Sequence, residues 1–170
     1  LGYADCRFLK PVFPGDTLST ESKVIGLKEN SSGETGVVHV RSTGRNQKGE
    51  IVLDYVRWVM VRKRDKAHPA PEEDVPHLPA VVGAAHLMAP AGTSFKAFDT
   101  VASGSSHLWD DYEKGERIDH VDGITIEEAE HMMATRLYQN TAKVHFNQYT
   151  EGKGRFGRRL IYGGHVISLA

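Results

Sequence analysis

The sequence has a single cysteine, no long apolar run and almost no net charge. Cys6 alone excludes a disulfide within the chain and a metal site built from cysteines. No apolar run approaches the ~20 residues that span a bilayer, and charges stand where a secretory signal at the start would be apolar. The formal net charge of -1 gives no electrostatic reason to expect nucleic acid or an anionic membrane as a partner. We therefore expect a cytoplasmic protein.

Histidine is frequent by contrast, but its spacing does not indicate a metal site. The chain has nine histidines, and no pair of them has the HExxH spacing of a zinc protease or anything similar. We expect no metal and no cofactor. The composition, 39% hydrophobic and 25% charged over 170 residues, is typical of a globular protein with a real core.

The two ends of the chain are unusual. The first residue is not methionine, and the last ten residues, IYGGHVISLA, predict a helix that stops after its first turns. We expect a piece of a longer protein.

Residues 1–64 predict an antiparallel sheet. Turn-forming residues at 14–16, 30–34 and 44–49 separate runs rich in β-branched residues. The last run, residues 50–63, has apolar side chains on both faces and therefore predicts a central strand. We also expect Cys6 to be buried.

The rest of the chain divides into a linker and a second unit. Residues 65–106 hold five of the seven prolines and predict a linker or a long surface excursion. Residues 107–170 predict a short strand, a turn at Gly123 and then a helix. Thr125 and Glu128 have the spacing of a capping box at the start of that helix. Its apolar residues recur at helical spacing: Ile126, Ala129, Met133 and Leu137.

Residues 140–147, NTAKVHFN, place two amides and a histidine in a polar loop after the helix. A neutral histidine accepts a proton from water, and an amide holds that water or orients the ring. Asn140, His145 and Asn147 are therefore candidate site residues. Taken alone, a histidine in such a loop is more often structural or exposed than catalytic.

Two further segments carry open alternatives. GKGRFG at 152–157 fits G-x-G-x-x-G but lacks the strand and helix of a dinucleotide site, so a glycine-rich loop is the better interpretation. The basic residues nearby, Arg158 and Arg159 among them, suit a phosphate or carboxylate, or form a solvated patch. Gly163 and Gly164 either present backbone N–H groups to a developing negative charge or make a tight turn.

Together these segments resemble the MaoC-like hydratases of the hot-dog superfamily. In that family an Asp, a His five positions later and an acidic residue two beyond precede a His-Gly pair at the start of a long helix. Here Asn140 replaces the first Asp, His145 matches the His, Asn147 replaces the acidic residue, and Gly163–Gly164 replaces His-Gly. The segments TRLYQNTAKVHFNQ and GRRLIYGGHVISLA are similar in sequence to the mesaconyl-CoA hydratases, also called β-methylmalyl-CoA dehydratases.

The resemblance implies an α+β hot-dog fold, with an antiparallel sheet around a long helix, in a piece of a double hot dog. Residues 1–64 would be the sheet half of the first hot dog. Residues 65–106 would join the two hot dogs, and residues 107–170 would begin the second hot dog. We expect a homo-oligomer.

The chemistry that the resemblance implies is reversible hydration of a branched, unsaturated dicarboxylic acyl-CoA, whose CoA is part of the substrate. His145 would be the general base, Asn140 would orient the water, and the N–H of Gly164 would stabilise the thioester oxygen. Asn147 and Gly163 would line the substrate site. Lys143, Arg158 and Arg159 are candidates for the substrate's free carboxylate. Thioester hydrolysis, or a non-catalytic acyl-CoA-binding scaffold, is the alternative.

Overall fold

The structure, a computed structural model, describes residues 2–87, 89, 92–105 and 107–170. The chain forms two compact units, Leu1–Asp99 and Thr100–Ala170. The first contains a sheet and the second contains helices. Within the described ranges, no helix is long and apolar enough to cross a membrane.

The first unit is built on an antiparallel sheet of four strands in the order β1-β4-β3-β2. The predicted turns are confirmed, since backbone hydrogen bonds close them after Phe13, Asn30 and Asn46. The last run of the segment is also confirmed as a central strand, because it pairs with a strand on each side. The strands are β1 Gly2–Phe8, β2 Ser19–Glu29, β3 Thr35–Arg45 and β4 Ile51–Arg62.

A bulge in β1 gathers charged residues on the sheet. Asp5 has a φ of 49° in this bulge, and its carboxylate accepts hydrogen bonds from Arg7 at 2.7 Å and from Arg41 at 3.0 Å. Burial alone would raise the pKa of Asp5, but these two guanidinium groups outweigh burial and lower it. The expectation that Cys6 is buried is wrong: its side chain is exposed, because the bulge interrupts the regular alternation of faces.

Part of the proline-rich segment packs against the edge strand β2. Asp74 forms an isolated antiparallel bridge with Leu27, with backbone hydrogen bonds of 2.7 and 3.0 Å. A Cβ at the neighbouring Gly26 would overlap the carbonyl oxygen of Asp74, so this close approach requires glycine. The contact covers backbone groups that an edge strand would otherwise expose.

The second unit corrects three sequence predictions. Residues 107–127 form no strand, and a 3₁₀ helix lies at Trp109–Asp111 instead. The predicted capping box at Thr125 is wrong, because the helix starts after Glu127 and no side chain caps it. The polar loop at 140–147 contains one helical turn. The helices are α1 Glu128–Leu137, α2 Lys143–Phe146, α3 Gln148–Glu151 and α4 Gly163–Leu169, the last as predicted.

Helix α1 buries polar residues and exposes apolar ones. His131 and Thr135 are 1% and 0% exposed, whereas Met133 and Leu137 are 61% and 74% exposed. The apolar spacing that predicted the helix therefore does not mark the face that is buried within this unit.

The end of α1 is a Schellman motif with a glutamine in the position that glycine favours. The N–H of Gln139 donates to the carbonyl of Arg136 at 3.0 Å, and the N–H of Asn140 donates to that of Thr135 at 2.8 Å. Gln139 has a φ of 52°, the left-handed conformation in which a Cβ is strained. This strained residue directly precedes Asn140.

Replacing Gln139 by glycine is expected to stabilise the protein. Removing the Cβ relieves the left-handed strain, a gain of about 1 kcal/mol in the free energy of unfolding. Chemical denaturation followed by circular dichroism measures the change. The matched control is Gln139→Ala, which keeps the Cβ and should bring no gain. Equal stability of the two variants would contradict the assignment of strain to this residue.

Candidate active site

The one-turn helix α2 carries His145, and Asn140 shapes the chain that leads into it. The amide oxygen of Asn140 accepts the N–H of Ala142 at 3.1 Å, a turn that asparagine forms with its own backbone. The N–H of His145 in turn donates to the carbonyl of Ala142 at 2.9 Å. Asn140 and His145 are thus linked through Ala142, and both side chains are half-buried.

The ring of His145 is held in one tautomer. Its Nδ1 lies 3.0 Å from the carbonyl oxygen of Leu160. A carbonyl only accepts, so Nδ1 carries the proton in the neutral ring and Nε2 keeps a free lone pair. The N–H of Leu160 donates to the carbonyl of Val144 at 3.0 Å, which fixes the acceptor itself. This arrangement presents Nε2 as a base.

Tyr162 lies at the centre of the candidate site, and the sequence analysis did not single it out. Its ring centroid is 6.1 Å from that of His145, 6.2 Å from that of His131 and 6.1 Å from that of His165. Tyr138 meets it edge-on at 6.3 Å. No local pattern marks Tyr162, because His131 on α1 and His145 on α2 are distant from it in the sequence and only His165 is near.

His131 is the most buried of the histidines around Tyr162. It is 1% exposed, and its Nε2 accepts the backbone N–H of Tyr162 at 3.1 Å. Its pKa is lowered, first by burial, which disfavours the charged ring. Three nearby groups that are positive or can become so lower the pKa further, and Glu128 raises it by a smaller amount. These groups are His165, Arg159 and His145.

His165 is also buried, and it lies beside a carboxylate. It is 8% exposed, and its Nε2 is 3.3 Å from Oε1 of Glu130. The alignment is that of an ion-pair approach rather than a hydrogen bond, since Nε2 has no partner that meets hydrogen-bond geometry.

The two glycines at the start of α4 differ in their surroundings. A Cβ on Gly164 would overlap the ring of Tyr162, whereas a Cβ on Gly163 would meet nothing within 4 Å. Gly163 is exposed and Gly164 is half-buried. The ring of Tyr162 therefore covers Gly164 closely enough to require glycine there.

The remaining predicted site residues lie in three kinds of place. Asn147 caps α3, with its amide oxygen accepting the N–H of Thr150 at 3.2 Å. Lys143 and Arg158 are exposed. Arg159 is largely buried: its side chain is 13% exposed, contacts the sulfur of Met132 and approaches Glu128 at 3.4 Å.

Several of these histidines and carboxylates lie near one another without forming a metal centre. Among the residues that the structure describes, no group of three or more His, Cys, Asp or Glu side chains is arranged to hold a metal ion.

The buried His131 is expected to make the protein less stable in acid. Its pKa in the folded state lies below the value of about 6.5 for a free histidine, so the unfolded chain binds the extra proton more readily. Its contribution to stability is present above pH ~6.5 and is lost as the pH falls towards the folded pKa. Urea denaturation at a series of pH values measures this. His131→Gln, which does not titrate, should show a shallower decline, and an identical decline would contradict the prediction.

Gly164→Ala is expected to be harmful and Gly163→Ala to be tolerated. The first variant forces the ring of Tyr162 to move, at a cost of about 1–3 kcal/mol in the free energy of unfolding. The second adds a methyl group in open space on a helix, where alanine is favoured over glycine. Thermal unfolding of both variants separates the predictions. Equal loss in the two would show that the ring does not occupy the space beside Gly164.

The family model for mesaconyl-CoA hydratase matches residues 1–170. β-Methylmalyl-CoA dehydratase of Chloroflexus aurantiacus is 64% identical over 170 residues, which is 100% of this chain and 48% of that protein. Mesaconyl-CoA hydratase of Cereibacter sphaeroides is also 64% identical over 170 residues, or 49% of its own length. The chain spans about half the length of the curated relatives that it matches.

Two solved structures show the fold. A Chloroflexus aurantiacus protein assigned as a MaoC-domain dehydratase superposes with a TM-score of 0.94 at 63% identity, over 99% of this chain and 48% of that one. A Mycobacterium tuberculosis protein with a double hotdog fold superposes with a TM-score of 0.62 at 26% identity, over 99% of this chain and 50% of that one. The predicted fold class, an α+β piece of a double hot dog, is confirmed. The chain belongs to the mesaconyl-CoA hydratase family.

Proposed function

We propose that the protein containing this chain reversibly hydrates mesaconyl-CoA to β-methylmalyl-CoA. The observation that carries the proposal is the ring of His145, whose Nδ1 lies against the carbonyl of Leu160 and leaves Nε2 as a base. The printed names of two relatives that are 64% identical support the substrate class, a branched dicarboxylic acyl-CoA.

In the proposed reaction, His145 serves both proton transfers. Its Nε2 takes a proton from water while the oxygen of that water adds to the β-carbon of the enoyl thioester. The same proton then passes from Nε2 to the α-carbon, so the atoms of one water are added and the ring returns to its neutral form. An amide cannot exchange protons as a carboxylate does, so the role of Asn140 is only to orient the water.

Asn140 has the groups needed to hold the water. Its amide oxygen accepts one backbone N–H, from Ala142, and keeps a second lone pair. Its amide nitrogen carries two donors. The side chain therefore orients the water while it shapes the turn into α2.

Two parts of the protein meet negative charge on the substrate: the start of α4 meets the thioester oxygen, and exposed cations meet the free carboxylate. The N–H of Gly164 stabilises the negative charge that develops on the thioester oxygen, as the family resemblance implies, an effect worth about 3 kcal/mol of the barrier. Gly163 and the amide nitrogen of Asn147 line the substrate site. Lys143 and Arg158 are exposed and meet the free carboxylate.

Arg159 is a weaker candidate for the substrate's carboxylate than these two. Its side chain is largely buried, and its guanidinium already contacts Met132 and approaches Glu128. We therefore assign Arg159 a structural role within the second unit.

The full protein is proposed to be a homo-oligomer.

The test uses the protein at the full length at which it is encoded, with mesaconyl-CoA as substrate. Loss of the enoyl-thioester absorbance without release of free CoA is the expected result. His145→Ala should lower kcat by about 10²–10⁴-fold, the usual contribution of a general base. The matched control is His120→Ala, which removes an exposed histidine of the same unit and should leave kcat unchanged.

Other outcomes identify the rival functions. Release of free CoA with no hydrated product would make the protein a thioesterase. Binding of the acyl-CoA without turnover would make it a scaffold. Unchanged turnover in His145→Ala would remove α2 from the active site.

A further inference from the structure

His131 is a buried imidazole that the proposed reaction does not use. It lies on α1, whereas the proposed base lies on α2 and the proposed oxygen-binding N–H lies on α4. At 1% exposure its side chain is almost entirely shielded from solvent. Burying a polar ring costs free energy when a ring nitrogen has no hydrogen-bond partner.

The pairing of His131 fixes its chemical form. The N–H of Tyr162 donates to Nε2 at 3.1 Å, so Nε2 carries no proton and the neutral ring has its proton on Nδ1. Burial lowers the pKa of the ring, in keeping with this form. The groups around it are two cationic or titratable rings, one guanidinium and two carboxylates. They are His145, His165, Arg159, Glu128 and, beside His165, Glu130.

The donor of this hydrogen bond belongs to Tyr162, a residue that contacts both the proposed base and the start of α4. Tyr162 is the N-cap of α4, so its backbone sets where that helix begins. Its ring packs 6.1 Å from the ring of His145 and occupies the space next to Gly164. A shift of the backbone of Tyr162 would therefore change the surroundings of His145 and of Gly164, the two groups to which the reaction assigns a role.

We propose that His131, as a neutral hydrogen-bond acceptor, is a positioning residue that holds Tyr162 and thereby sets the base His145 against the N–H of Gly164. This inference rests on the proposed function for its catalytic consequence, and on the hydrogen bond alone for its structural one. His131 touches no substrate. It acts through the backbone and ring of Tyr162.

Three variants of the full-length protein test the acceptor. His131→Leu fills the space without an acceptor. It is expected to lower kcat by at least about tenfold with little change in KM. The N–H of Gly164 and the base His145 act in the transition state, so their misplacement affects the chemical step more than substrate binding. His131→Gln places an amide oxygen near the position of Nε2 and should restore most of the activity. His131→Asn has the same amide on a shorter side chain and should not. Equal kcat in the Leu and Gln variants would overturn the proposal.

A second arm does not depend on activity. The nitrogen-15 chemical shifts of His131 at neutral pH should show Nδ1 protonated and Nε2 unprotonated, and a proton on Nε2 would overturn the proposal. Hydrogen exchange of the Tyr162 amide should be slow in the wild type and in His131→Gln and faster in His131→Asn. Equal protection in all three would overturn it as well.

The two arms separate this inference from the proposed function. A wild type that does not hydrate mesaconyl-CoA would refute the function, while the chemical shifts and amide exchange would still decide whether His131 holds Tyr162. A wild type that hydrates it, together with a fully active and folded His131→Leu, would refute the inference and leave the function intact. If His131→Leu fails to fold, the contrast between the Gln and Asn variants decides.

Discussion

The hydrogen bond from the N–H of Tyr162 to His131 is the constraint on which the second unit depends. It joins residues 31 positions apart and brings the start of α4 against α1. The chain between them includes α2 and the carbonyl of Leu160 that orients His145. Ordering this long segment costs conformational entropy that its short helical turns do not offset. The contacts around Tyr162 must therefore supply the remaining favourable free energy.

The interior of this unit is polar, which makes hydrogen bonding decisive. Among the described residues of the unit, the buried ones are His131, Thr135 and His165. The hydroxyl of Thr135 donates to the carbonyl of Met132 at 2.9 Å, and His131 accepts from Tyr162. A buried polar group that loses its partner costs about 1–3 kcal/mol. The contacts that stabilise the unit are thus the ones that place the candidate site, and stability and geometry depend on the same groups.

The sequence predicted features that local chemistry determines and missed those that depend on distant contacts. Turns and the central strand β4 follow from glycine, proline and β-branched residues within a few positions. The start of α1 was placed too early because Thr125 stands between two isoleucines, and this β-branched run lies outside the helix. Tyr162 carries no local signal, since its contacts with the rings of His131 on α1 and His145 on α2 are long-range. His145 was found through the family pattern, whereas the carbonyl that selects its tautomer lies 15 residues away.

Asparagine at position 140 is consistent with such a site. Its amide oxygen makes the turn into α2 that an aspartate would also make, so the shape of the motif does not need a carboxylate. A negative charge beside an imidazole favours the protonated ring, and the proposed base must be neutral to accept the proton of water. A neutral amide keeps the turn and adds no such charge. In the proposed reaction the second proton transfer then falls to His145 itself, whose ring the carbonyl of Leu160 holds in one orientation for both steps.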